Sequence, residues 1–127
     1  MGLNILLVDD EAHIRRLMTR VLERAGHSVI AAEDGDAARE HLSERPEAID
    51  LMVLDIVIPP RGAAEVLDEA LGRRPDLPFL LISGEQIGDE IRQRMEAARG
   101  SFLRKPFRAE AILEAIDGVN SMAADPG

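Results

Sequence analysis

The chain has 127 residues, 46% of them hydrophobic and 31% charged, which suits one domain with a buried core and excludes a disordered segment. Its 24 acids against 15 basic residues give a formal charge of -9, which argues against direct nucleic-acid binding, since that needs clustered cations on phosphates. The absence of cysteine excludes disulfides, thiolate metal sites and cysteine nucleophiles, and no apolar run approaches the roughly 18 residues of a membrane span.

The N-terminus, MGLNILLVDDE, lacks a basic stretch followed by a long apolar run, so a cytoplasmic location is expected. Leu3 to Val8 is a continuous apolar run, the pattern of a strand buried on both faces. Ile14, Leu17, Met18, Val21, Leu22 and Ala25 then recur at helical spacing, with Gly26 as the stop. A weaker strand, Ser28 to Ala32, leads to a helix opened by Asp34-Gly35-Asp36 and ended near Pro46. Leu51 to Ile58 is the second strong apolar run, stopped by Pro59-Pro60. Ala63 to Leu71 reads as helix, Phe79 to Ile82 as strand, Ile87 to Ala98 as helix and Ser101 to Arg104 as a short strand. A last helix is expected from Ala109 to Val119. Residues 1–120 then form the domain, and 121–127 a flexible C-terminal tail.

Five strands each followed by a helix imply an α/β fold, a doubly wound parallel sheet with five helices on its two faces. In such sheets the functional crevice lies beyond the carboxyl ends of the strands. The first strand ends in Asp9-Asp10-Glu11, the third carries Asp55, the fourth ends in Ser83-Gly84 and the fifth in Lys105-Pro106. A carboxylate within a buried strand costs several kcal/mol unless paired or bound to a metal, so Asp55 needs a reason. A magnesium ion is one, because it prefers oxygen ligands and is commonly held by one or two carboxylates. Asp9, Asp10 and Asp55 could supply such a site. Asp9 or Asp10 could instead cap the first helix, but capping does not account for Asp55, Ser83 and Lys105 at the same edge.

The blocks LLVDDE, LDIVIP, LLISGE and FLRKPF, in that order, resemble those of a bacterial response-regulator receiver domain of the chemotaxis-regulator kind. The resemblance covers Leu3 to Val119. It implies a flavodoxin-like sheet of strand order 2-1-3-4-5, with Asp55 as phosphoacceptor. It implies that Asp9, Asp10, Asp55 and the Val57 backbone carbonyl hold Mg2+. Ser83, Gly84 and Lys105 would contact the phosphoryl group, Ser83 and Phe102 would form the switch, and the Lys105–Pro106 bond would be cis. The implied partners are a histidine kinase or histidine phosphotransfer protein and a downstream protein target, with no direct nucleic acid and no membrane. A monomer or weak homodimer is expected.

Lys105 is the only lysine, every other basic position being arginine. A compact ammonium suits a place beside a carboxylate that a planar guanidinium does not. The negative excess lies mostly before residue 86, and the near-neutral remainder carries Arg92, Arg94, Arg99, Arg104 and Arg108, a docking surface for an acidic partner or an ordinary solvated face. His13, His27 and His41 lack metal-ligand spacing, and the methionines, Phe79 and Phe107 read as packing.

Three features depart from the receiver pattern. Ile58 stands where the family usually has Met, the stretch from Asp55 to Gly62 is one residue short, and Val57 offers no side-chain hydrogen bond to a hydrolytic water. An aspartate-nucleophile phosphatase of the haloacid-dehalogenase type is a rival reading, but it needs a second Asp where Val57 stands. Two others are a receiver-like module that is never phosphorylated, and the receiver fragment of a longer DNA-binding or enzymatic regulator.

Overall fold

The computed structural model describes residues 2–60 and 62–124. Its elements run β1 (Asn4–Val8), α1 (Ala12–Arg24), β2 (Ser28–Ala32), α2 (Gly35–Glu44), β3 (Leu51–Asp55), α3 (Ala63–Arg73), β4 (Phe79–Ser83), α4 (Asp89–Glu96), β5 (Gly100–Arg104) and α5 (Ala109–Ala124). A single 3-10 turn, Pro46–Ala48, precedes β3. All strand pairs are parallel and the order is β2-β1-β3-β4-β5, as the receiver resemblance implies.

The pleat sends alternate side chains to opposite faces, which divides the apolar runs between two cores. Leu6, Met52, Leu54 and Leu81 face α2, α3 and α4, where Leu42, Leu67 and Ile91 meet them. Ile5, Leu7, Val53, Leu80 and Ile82 face α1 and α5, against Met18, Leu22, Ile112 and Ile116. On β5 the neighbours Phe102 and Leu103 lean on different cores. β3 and β4 are buried along their whole length, whereas every residue of β5, at the edge, is partly or fully exposed.

Local signals account for most boundaries. Asp34 caps α2 by accepting the Ala37 N–H at 2.8 Å, and Gly26, at φ 99°, follows the end of α1. The strand expected over 51–58 ends instead at Asp55. Ile56 still donates to the Ile82 carbonyl, but the next N–H, that of Val57, turns to the Asp55 carboxylate at 3.0 Å and the ladder stops. α4 is shorter at both ends than the expected 87–98, starting after Gly88. α5 continues past Val119 to Ala124, so 121–124 belong to the helix and not to a tail. Its apolar stripe ends at Val119, yet no helix breaker follows until Pro126, and the backbone runs on. Residues 125–127 of the expected tail lie outside the described residues. The Lys105–Pro106 peptide is cis as expected, and Pro59–Pro60 is cis as well. Among the described residues no helix is long and apolar enough to cross a membrane.

Gly100 opens β5 against the fully buried ring of Phe79, and a Cβ there would overlap that ring. The core is close-packed and the ring is fully buried, so a Cβ at this position would require the ring to shift. Gly100→Ala is expected to cost about 2 kcal/mol of stability, seen as a lower urea midpoint at unchanged slope. An unchanged midpoint would show that the ring can repack.

Candidate functional site

Parallel strands all deliver their carboxyl ends to one edge, and β1 and β3 are the neighbours at which the winding reverses. Asp9 follows β1 there, and Asp55 ends β3 beside it. Ser83 ends β4, and Lys105 follows β5 with its N–H donating to the Ser83 carbonyl at 2.8 Å. Among the described residues, the buried polar or charged ones are Asp9, Asp55 and Ser83. Every one of them lies at this edge.

The ammonium of Lys105 holds the group together. Its Nζ donates to Asp55 Oδ2 at 2.9 Å and pairs with Asp9 Oδ2 at 3.5 Å and Glu11 Oε1 at 3.7 Å. The remaining carboxylate oxygens take backbone donors, Asp55 Oδ1 from Val57 at 3.0 Å and Asp9 Oδ1 from Glu11 at 2.9 Å. Burial pushes the Asp9 carboxyl above its ordinary pKa, more than the Glu11 N–H and Lys105 can offset, and the Asp55 charge adds to the rise. Burial works against the Lys105 charge, but the Asp55 hydrogen bond and the charges of Asp9 and Asp55 outweigh it and raise its pKa.

An open cleft of about 450 Å³ lies over this group, bordered by Asp10, Val57, Gly84 and Glu85. Gly84 is exposed there and a Cβ on it would meet nothing, while Val57 is among the exposed large hydrophobic residues. Ser83 Oγ accepts the Glu85 N–H at 3.0 Å, which leaves the hydroxyl proton free to donate. Phe102 is half-buried against the core beneath α4.

Asp9, Glu11 and Asp55 each bring a carboxylate oxygen to within 4.8 Å of the others, a donor set of the kind hard divalent cations prefer. Asp10, not Glu11, is the member of this set expected from the sequence. Asp10 lines the cleft but its side chain is exposed and stands outside the tight group. The signal for Glu11 was the unbroken Asp9-Asp10-Glu11 run: a third acid, longer by one methylene, beside a lysine. The capping reading of Asp9 also changes, since the N-cap of α1 is Glu11 and its side chain makes no cap bond.

The model of the response regulator receiver domain matches residues 5–117. The chain belongs to the response regulator receiver family. Response regulator MprA of Mycobacterium tuberculosis is 34% identical over 114 residues, covering 89% of this chain and 48% of that protein. This receiver thus spans about half the length of the curated relatives it matches. The crystal structure of NtrX from Brucella abortus superimposes with a TM-score of 0.85 at 30% identity, covering 98% of this chain and 28% of that one. A CheY-like receiver protein from Methanospirillum hungatei, 23% identical, gives a TM-score of 0.85 over 100% of both chains and shows the shared fold.

The raised pKa of Asp9 carries a sign. The folded carboxyl keeps its proton to higher pH than the unfolded one, so stability is lost as pH rises through that window. At neutral pH the ionised Asp9 is therefore a cost to the metal-free fold. Asp9→Asn is expected to raise the thermal midpoint of the metal-free receiver at neutral pH, measured by calorimetry. A lowered midpoint would mean that the pair with Lys105 outweighs the burial.

Proposed function

We propose that this receiver accepts a phosphoryl group on Asp55 from a phosphohistidine of a kinase or phosphotransfer protein, with Mg2+, and so controls a downstream protein. The observation that carries this reading is a buried carboxylate at a strand end, with the chain's only lysine donating to it at 2.9 Å.

In the proposed step an Asp55 oxygen attacks phosphorus in line as the bond from phosphorus to the histidine nitrogen breaks. The freed imidazole takes a proton from solvent, and Asp55 is left as an aspartyl phosphate. Transfers of this kind depend on positioning and on neutralising the equatorial oxygens. Lys105 would take one oxygen, and the Ser83 hydroxyl with the Gly84 N–H another. Asp9, Asp10, Glu11, Asp55 and the Val57 carbonyl are the groups that would hold the cation. When bound it would neutralise charge on the phosphoryl oxygens.

The switch follows from the same contacts. Ser83 would leave the Glu85 N–H for the phosphoryl group, and Phe102 would follow into the space released. The change would appear on the surface of α4, β5 and α5. This face would engage a protein target, with neither nucleic acid nor membrane bound directly, in a cytoplasmic monomer or weak homodimer. No second Asp stands at position 57, which favours a phosphoacceptor over a phosphatase. A second reading, a receiver within a longer regulator, is favoured by the chain spanning 48% of MprA.

Incubation with a small phosphodonor and magnesium is expected to add one phosphoryl mass to the intact protein, and Asp55→Ala to abolish the gain. An adduct that survives Asp55→Ala, or no adduct at all, would sink the assignment.

A further inference from the structure

Both oxygens of Asp55 are engaged. Oδ1 accepts the Val57 N–H at 3.0 Å and Oδ2 accepts Lys105 Nζ at 2.9 Å. Each oxygen keeps a second lone pair, but a bound donor draws charge from the attacking oxygen, so displacing one of the two raises its nucleophilicity. The Val57 amide belongs to the backbone beside the acceptor and cannot leave without moving the loop. The ammonium ends a flexible four-carbon stem and can. Moving it into solvent would abandon its hydrogen bond to Asp55 for no partner, and moving it deeper would meet only Asp9, which is fully buried and already accepts the Glu11 N–H.

Glu11 is the remaining carboxylate within reach, at 3.7 Å. Its side chain lines the cleft and is 55% exposed, whereas that of Asp55 is buried. It occupies the N-cap of α1 without capping it, so the side chain is not committed to the helix. The carboxylates that pair with Lys105 are those of Asp9, Glu11 and Asp55, and Asp10 stands outside the tight oxygen group.

We infer that Glu11 is a positioning residue for phosphorylation: it receives the Lys105 ammonium as Asp55 Oδ2 is uncovered and holds it in the cleft, ready to meet the incoming phosphoryl oxygens. The inference rests on Asp55 being the acceptor. It gives Glu11 a role opposite in sign to that of a bystander charge. As a bystander, Glu11 would only repel an anionic phosphodonor, and its neutralisation would speed the reaction. As the acceptor of the ammonium, its neutralisation leaves Lys105 clamped on Asp55 and slows it.

Two measurements on the whole chain decide between these. With lysine as the only labelled residue, 15N labelling yields a single side-chain ammonium signal, that of Lys105. In the metal-free protein Glu11→Gln is expected to shift this signal, and Glu11→Asp to shift it less. The rate of adduct formation with a small phosphodonor at saturating magnesium is expected to fall about two- to five-fold in Glu11→Gln, the range for a partly exposed ion pair, with partial rescue in Glu11→Asp. An unmoved ammonium signal, or a Glu11→Gln rate equal to or above the wild-type rate, overturns the inference while leaving the acceptor intact. So does a Glu11→Gln defect that appears only below saturating magnesium, because Glu11 would then act only through the cation. A wild-type chain that forms no adduct removes the acceptor reading, and this one with it.

Discussion

A single ammonium holds two buried carboxylates and an exposed one at one end of a parallel sheet. Without Lys105, Asp9 and Asp55 would sit beside each other as uncompensated charges in a low-dielectric interior, a far larger penalty than any one contact elsewhere can offset. The arrangement remains unbalanced even so. One positive charge faces three negative ones, and Asp9, whose pKa burial raises, carries its charge at a cost. A site left with excess negative charge is one that a further cation would stabilise.

The rest of the molecule makes this imbalance tolerable. β1, β3 and β4 carry almost uninterrupted aliphatic side chains, and their burial on both faces provides the bulk of the stability. Because the strands are parallel, that apolar mass lies behind the charged edge and fixes where each chain end emerges. The backbone adds precision. The Lys105 N–H on the Ser83 carbonyl ties β5 to β4 at the point where both deliver a functional side chain.

Much of this was legible in the sequence, for identifiable reasons. A parallel strand buried on both faces writes itself as an apolar run, and the alternation with helical spacing forces the crossover topology. Asp55 was conspicuous because a carboxylate after Leu-Met-Val-Leu has few bland explanations. The misses share a cause, which is that they depend on where one hydrogen bond goes. The end of β3 is decided by a Val57 N–H choosing a side chain over the ladder, and apolarity cannot report that choice. The length of α5 is a backbone property that outlasts its apolar stripe. That Glu11 rather than Asp10 brings an oxygen near Asp9 and Asp55 depends on the loop geometry between β1 and α1, which three adjacent acids in a sequence do not reveal.

Phe102 and Leu103 on β5 give the sheet a further property. The strands act as a partition between two apolar compartments that share no side chains, one under α2, α3 and α4 and the other under α1 and α5. Consecutive residues of β5 are anchored on opposite sides of that partition. A small twist of this edge strand therefore trades packing in one compartment for packing in the other. β5 is a lever whose two arms lie in separate halves of the molecule, with the ammonium of Lys105 mounted just beyond its end.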